Sequence, residues 1–389
     1  MFEIIDQESD STVIKVIGVG GAGGNAVEHM ICEGVQGVEF ICINTDGQAL
    51  KNSSAGVKLQ LGPGLGAGGK PARARALAEA EHDRIVEVLT GAHMVFITAG
   101  MGGGTGTGAA PIIAEIAREL GILTVAVVTK PFEFEGKRML AAEEGLTALA
   151  ENVDSLIVIL NEKLMEVLGE DINFMEAFRT ADNVLKNAVG GIAEIINVPG
   201  LVNVDFEDVR TVMGEMGKAM MGSATVAGVD RARLAAEQAA ASPLLEGIEL
   251  SGARGVLVNI TASNSLGMKE VREVMNTIRT YAADDSTIIF GTVFDDAMED
   301  QLRVTVVATG LGSKAAKQRP PMLKPVEGVG LRTGTDNYPL VDVMQGGNDE
   351  SPLPSVIHGR GARNAAVEAM TASGMEKYDI PAFLRKQAD

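Results

Sequence analysis

The chain has 389 residues, a formal net charge of −19 and a sequence pI near 4.7. A field of that sign argues against nucleic acid or an anionic membrane as direct partner, and opposes self-association unless cations screen it. Hydrophobic residues at 46% permit a large core in one or two domains, and neither a signal peptide nor a membrane-length apolar run is evident. Cys32 and Cys42 read as reduced core thiols of a cytosolic protein, and His29, His82, His93 and His358 show no ligand spacing, so no metal site made of side chains is expected.

In chain order, Val13–Ile17 reads as a strand, followed by the glycine cluster Gly18–Gly24 and a helix that Asn25 opens and that reaches about Cys32. The next strand, Val38–Ile43, ends in Asn44-Thr45-Asp46. Gly18, Gly20 and Gly23 spell GxGxxG with an acid about twenty residues on, a dinucleotide-binding pattern. A further glycine cluster spans Gly62–Gly69, and an Ala-rich helix is expected over roughly Ala72–Leu89. Then Met94–Thr98, a buried strand, runs through Ala99-Gly-Met-Gly-Gly-Gly-Thr-Gly-Thr-Gly-Ala-Ala-Pro111 into the helical period of Ile112–Leu120, which puts Pro111 near the first turn.

Such a strand-to-helix turn bares backbone N–H groups beside the positive end of a helix dipole, and Thr105 and Thr107 add hydroxyls. It suits phosphate. No Lys-Ser or Lys-Thr follows, so it is not a Walker A loop, and backbone dipoles with a magnesium ion carried on the phosphates would neutralise the charge. Three glycine clusters at strand ends suit a triphosphate better than one pyrophosphate.

Leu123–Val128 is the next strand, then a helix over about Lys137–Glu151 and the strand Ser155–Leu160. Alternating strands and helices predict a parallel, doubly wound sheet with ligands at the strands' carboxyl ends. A long helix is expected from about Ile172 to Val198, stopped by Pro199-Gly200, with Phe174, Phe178, Ala181, Leu185, Ala188, Ile192 and Ile195 along one apolar stripe. A short helix follows Asp205. Strands near 218–226, 255–261, 287–293 and 302–308, with helices near 231–241 and 268–282, then form a smaller α+β domain. Gly, Pro, Asn and Ser dominate afterwards, as in a disordered linker. The expected organisation is a tail at 1–11, a nucleotide-binding domain at 12–171, a central helix at 172–200, the α+β domain at 201–311, a linker at 312–375 and a terminal peptide at 376–389. In that peptide Ile380, Phe383 and Leu384 share one face of a short helix, the spacing of a segment that docks in a groove.

The run GGGTGTG, with GVGGAGGNA at Gly18–Ala26, TKPF at Thr129–Phe132, FEGKRM at Phe134–Met139 and NVDFEDVRTVM at Asn203–Met213, resembles the tubulin/FtsZ family of GTPases, in its bacterial cell-division branch. The likeness spans about residues 12–310 and returns at 378–389. It implies GTP as ligand and substrate, held by Gly21, Ala22, Gly23, Gly24 and Asn25, with Gly104, Thr105 and Gly106 on the β- and γ-phosphates. Glu135 and Arg138 would meet the ribose side, Phe178 would stack on guanine, and Asp182 would accept from its N–H groups. Asp205 and Asp208, assisted by Asn203, would polarise the attacking water. The resemblance also implies head-to-tail self-polymerisation, location at the mid-cell division ring, and membrane-tethered adaptors reached through 378–389, with no segment inserting in the bilayer. Each residue has a plainer reading too: Phe178 as core, Glu135 and Arg138 as a surface pair, Asp205 and Asp208 as helix caps. One departure stands out. The 62–69 loop is short for the family and leads into Gly69-Lys70-Pro71, which lacks an N-cap oxygen and brings Lys70, Arg73 and Arg75 toward the terminal phosphate. An NAD-dependent oxidoreductase and a weakly active structural paralogue are the alternatives.

Overall fold

The computed structural model describes residues 12–163, 173–197, 204–215, 217–241, 252–283 and 286–311. The expected tail, linker and terminal peptide lie outside these residues, as do Asn203 and both ends proposed for the long helix.

The first half is a strand–helix alternation: β1 (Ile14–Val19), α1 (Gly20–Cys32), β2 (Glu39–Asn44), α2 (Gly47–Asn52), β3 (Val57–Gln60), α3 (Pro71–Ala80), α4 (His82–Leu89), β4 (Met94–Gly100), α5 (Thr105–Glu119), β5 (Leu123–Lys130), α6 (Lys137–Ala150) and β6 (Ser155–Leu160). The long helix α7 (Phe174–Asn197) and the short α8 (Phe206–Met213) lead to β7 (Gly217–Ala227), α9 (Arg231–Ala240), β8 (Gly255–Ala262), α10 (Met268–Tyr281), β9 (Thr287–Phe294) and β10 (Gln301–Leu311). All ten strands join one sheet in the order β3-β2-β1-β4-β5-β6-β7-β10-β8-β9. Pairing is parallel from β3 through β7, antiparallel on both sides of β10, and parallel again between β8 and β9. The change of pattern after residue 217 is thus a change of pairing within a continuous sheet.

Burial explains the strands. β1 is buried along its whole length, as a parallel strand covered on both faces must be. Lys15 is its one charged residue. Its Nζ donates to Val88 O at 2.8 Å and Thr90 O at 2.9 Å, closing the C-terminal end of α4. One core layer joins α1, the inner face of α7 and α8 to the sheet, through Met30, Leu185, Val189, Ile192, Val209 and Met213. It continues under β7, β8 and β10 at Met221, Leu257 and Val307. The opposite face of the first six strands packs on α3, α4, α5 and α6.

Several expectations need correction. The glycines at 20–24 are not a loop before a helix opened by Asn25; they are the first turns of α1. Likewise α5 begins at Thr105, so Pro111 lies inside the helix rather than near its first turn. Gly and Thr are weak helix formers, and they hid these turns from a reading based on apolar period. The helix expected over 72–89 is two helices meeting at Glu81. The six-residue α2 and the four-residue edge strand β3 had no counterpart in the sequence reading.

Glycine is required where helices approach closely. A Cβ at Gly108 would collide with the carbonyl oxygen of Pro71 and come within 3.0 Å of the Ala74 methyl. Gly108→Ala should therefore pry α3 from α5 and lower stability by about 1–3 kcal/mol. Urea unfolding measures it, and an unchanged midpoint would contradict this contact.

Candidate nucleotide site

The first six strands run in the order 3-2-1-4-5-6, so the crevice where the order reverses lies between the carboxyl ends of β1 and β4. Two helix N-termini open onto it. The first-turn N–H groups of α1, at Gly20, Gly21 and Ala22, and those of α5, at Thr105, Gly106 and Thr107, have no intrahelical acceptor. They are adjacent: a Cβ at Gly20 would lie 3.0 Å from Gly106 N. The two dipoles thus converge on one anion-sized place. Thr105 Oγ1 is 2.7 Å from Thr45 Oγ1, and Thr107 Oγ1 accepts from Gly102 N at 2.9 Å, so the hydroxyls expected at the loop are held in place.

Gly23 differs from its neighbours. It is buried, and a Cβ there would strike the Thr98 carbonyl, so it sets the distance between α1 and β4. Gly21, Ala22 and Asn25 instead line a pocket of about 590 Å³ that also includes Gly100, Thr129, Asn161, Phe178, Arg179 and Asp182. Helix α1 supplies one end of this pocket and α7 its far wall.

Phe178 is 40% exposed and meets Phe132 edge-on at 6.1 Å, so the core reading fails for this residue; Ala177 and Ala181 take the buried positions. Burial pushes the Asp182 carboxyl up to about 6, against the opposing charge of His29. A carboxylate kept partly desolvated in a pocket gains by accepting from a ligand's N–H groups. Glu135 accepts from Phe132 N at 3.0 Å and is ion-paired with Arg138. That pair sits against the signature loop, since a Cβ at Gly102 would lie 2.5 Å from Arg138 O.

Sequence reasoning passed over Asn161. It directly follows β6, is 6% exposed, and its Oδ1 has no hydrogen-bond partner while lining the pocket. Unpaired buried acceptors are costly, so this one awaits a donor. Its signal was its place at the carboxyl end of a parallel strand. Asp46, by contrast, is engaged: it caps α2, accepting from Gln48 N at 2.9 Å, rather than facing a ribose.

The 62–69 loop reaches the same crevice. A Cβ at Gly104 would lie 3.1 Å from Lys70 N. Lys70 is the N-cap of α3 and offers no side-chain cap, as expected from its residue type. Arg75 is drawn away by Glu79 at 2.9 Å.

Asp205 and Asp208 are not brought to this pocket. Asp205 caps α8, accepting from Asp208 N at 2.7 Å, while the Asp208 side chain is exposed. Phe206 between them packs edge-on against His93 at 6.1 Å. His93 N bonds Val13 O, so both precede β1 and β4. The acids therefore lie beyond the amino ends of the strands whose carboxyl ends hold the glycine loops. Among the described residues no cluster of three His, Cys, Asp or Glu could hold a metal ion, and no helix is long and apolar enough to cross a membrane.

Residues 13–169 match the tubulin/FtsZ family GTPase domain, and residues 217–312 match the FtsZ family C-terminal domain. The chain is 54% identical to the cell division protein FtsZ of Coxiella burnetii, over 99% of both chains. It is 53% identical to that of Pseudomonas aeruginosa over the full length of both. Among solved structures it is similar to an empty FtsZ dimer from M. jannaschii, with 42% identity and a TM-score of 0.74, covering 78% of this chain and 89% of that one. A GTPγS-bound protofilament of CetZ2 from Haloferax volcanii shares the fold, at 19% identity and a TM-score of 0.67, covering 78% of this chain and 94% of that one.

Proposed function

The chain belongs to the tubulin/FtsZ family, in its FtsZ branch of cell-division GTPases, and from that premise we propose that it polymerises head to tail, each bound GTP being hydrolysed with acids from the next subunit. GTP lies with its phosphates at the N-termini of α1 and α5, held by Gly21, Ala22, Gly24 and Gly104–Gly106. Asn25 spans from phosphate side to base, and Glu135 with Arg138 borders the ribose. Guanine stacks on Phe178 and is read by Asp182 and Asn161. Any magnesium ion arrives on the phosphates, with the Thr105 hydroxyl at hand.

The placement of Asp205 and Asp208 carries the two-subunit reading. They follow the far end of α7, a 24-residue helix about 36 Å long, and lie at the opposite ends of the strands from the phosphate loops. A neighbour stacked in the same orientation would put its acids over this nucleotide, a heterologous contact that propagates as an open filament. Specific GTPase activity is then expected to rise with protein concentration above a threshold. Activity independent of concentration would contradict it.

Filaments of so acidic a protein need an adaptor to reach an anionic membrane. The terminal peptide 378–389 docks that adaptor through Ile380, Phe383 and Leu384, placing the polymer at the division ring on the inner face of the membrane. Deleting 378–389 is expected to leave turnover and polymer mass unchanged and to abolish recruitment to adaptor-coated vesicles; undiminished recruitment would overturn this role. The uncapped start of α3 with Lys70 is the feature that would favour a weakly active paralogue, and turnover decides between them.

A further inference from the structure

Helices α1 and α7 are joined by a polar ladder that the nucleotide chemistry so far leaves unused. Asn25 and His29 on α1 and Glu33 at its C-cap recur at four-residue intervals and so lie along one side of the helix. His29 Nε2 is 2.8 Å from Asn183 Oδ1, and Glu33 Oε2 is 3.4 Å from Lys186 Nζ. Farther along, Asn197 Nδ2 donates to Gly37 O at 2.7 Å. At the open end, Asn25 and Asp182 line the same pocket with no hydrogen bond between them. That is the rung left for a ligand.

We propose that His29 is a positioning residue for base selection: by donating to Asn183 it fixes the turn of α7 that carries Asp182 against the helix that carries the phosphates. The proposal rests on the reading of Asp182 as the guanine acceptor. An amide oxygen only accepts, so the bond requires the proton on Nε2. Asn183 adjoins Asp182, so the bond sets how α7 is rotated about its axis at that turn. Selection by hydrogen bonds is steep only when the acceptor is held to the ligand's geometry, because a misplaced acceptor forfeits the bond while staying desolvated. The charge of His29 also opposes the burial that disfavours the ionised Asp182. Glu33 and Lys186 secure the next rung whether or not His29 is present.

The test compares the full-length protein with His29→Ala and His29→Gln, measuring dissociation constants for GTP and for inosine triphosphate, which lacks the 2-amino group. In the wild type GTP is expected to bind more tightly. In His29→Ala that preference should fall about tenfold, because inosine triphosphate, which keeps only the N1–H, loses less than GTP when the acceptor is misplaced. His29→Gln, which restores an N–H donor, should recover most of it. A wild type that does not prefer GTP would overturn the reading of Asp182. A wild-type preference that survives in His29→Ala would overturn the role of His29 alone. Loss in His29→Ala without recovery in His29→Gln would assign the effect to charge and also overturn positioning. A fold defect would weaken both nucleotides together and leave their ratio unmoved, which counts against the proposal.

Discussion

Replacing Asp208 by Ala should lower GTP turnover a hundredfold or more while leaving GTP affinity within about twofold of the parent. The separation follows from geometry. Asp208 lies beyond the amino ends of β1 and β4 with Phe206 and His93, whereas the pocket opens at the carboxyl ends. Asp208 is therefore remote from the pocket of its own chain. Its side chain is exposed and the capping of α8 belongs to Asp205, so its loss leaves the helix start intact. Asp205→Ala should behave differently, losing turnover together with about 1 kcal/mol of stability, because it removes a cap. Equilibrium binding and steady-state phosphate release separate the two effects. A parent-like rate in Asp208→Ala would remove this acid from the chemistry.

Asp182→Asn should have the second-largest effect, with affinity and stability moving in opposite directions. Burial holds the carboxyl at about 6, above its ordinary 3.8. A raised carboxyl pKa stabilises the fold below pH 4, and that contribution is lost as pH rises from about 4 through 6. At pH 7 the empty protein therefore carries an ionised, partly desolvated acid at a cost of about 1–3 kcal/mol. Asparagine removes that cost, so the empty variant should melt higher than the parent at pH 7 and no higher at pH 4. Guanine loses the acceptor for its N1–H and 2-amino groups, and GTP should bind tenfold or more weakly, with preference over ATP greatly reduced. The parent's own affinity should fall as pH drops below about 6, where Asp182 takes up its proton. Calorimetry across pH and competition with ATP check both halves. A parent that binds ATP as well as GTP would contradict the assignment.

The alternating strands, the long α7 and the glycine loops were legible in the sequence because apolar period and glycine clustering report burial and strand ends directly. What escaped was set by tertiary context. The first turns of α1 and α5 are written in Gly and Thr, which local propensity assigns to loops; packing against β4 and α3 makes them helical. The break at Glu81 has no proline or glycine to announce it. Along the stripe Ala181, Leu185, Ala188, Ile192 and Ile195 are buried as read, whereas at Phe178 the helix leaves the core and its wall becomes the pocket. Asn161 was visible only as a polar residue after a strand; its unpaired buried oxygen emerges from the fold. That Asp205 and Asp208 stand away from the pocket depends on α8 packing at the amino ends of β1 and β4, a long-range relation no local pattern encodes.

The most direct test of the shared active site mixes two inactive proteins. Asp208→Ala binds GTP but lacks the acid; Asp182→Ala keeps the acids but holds GTP poorly. If each site is completed by the neighbouring subunit, an equimolar mixture should hydrolyse GTP many times faster than the sum of the two alone. A mixture no more active than that sum would place the whole active site within one subunit and contradict the account.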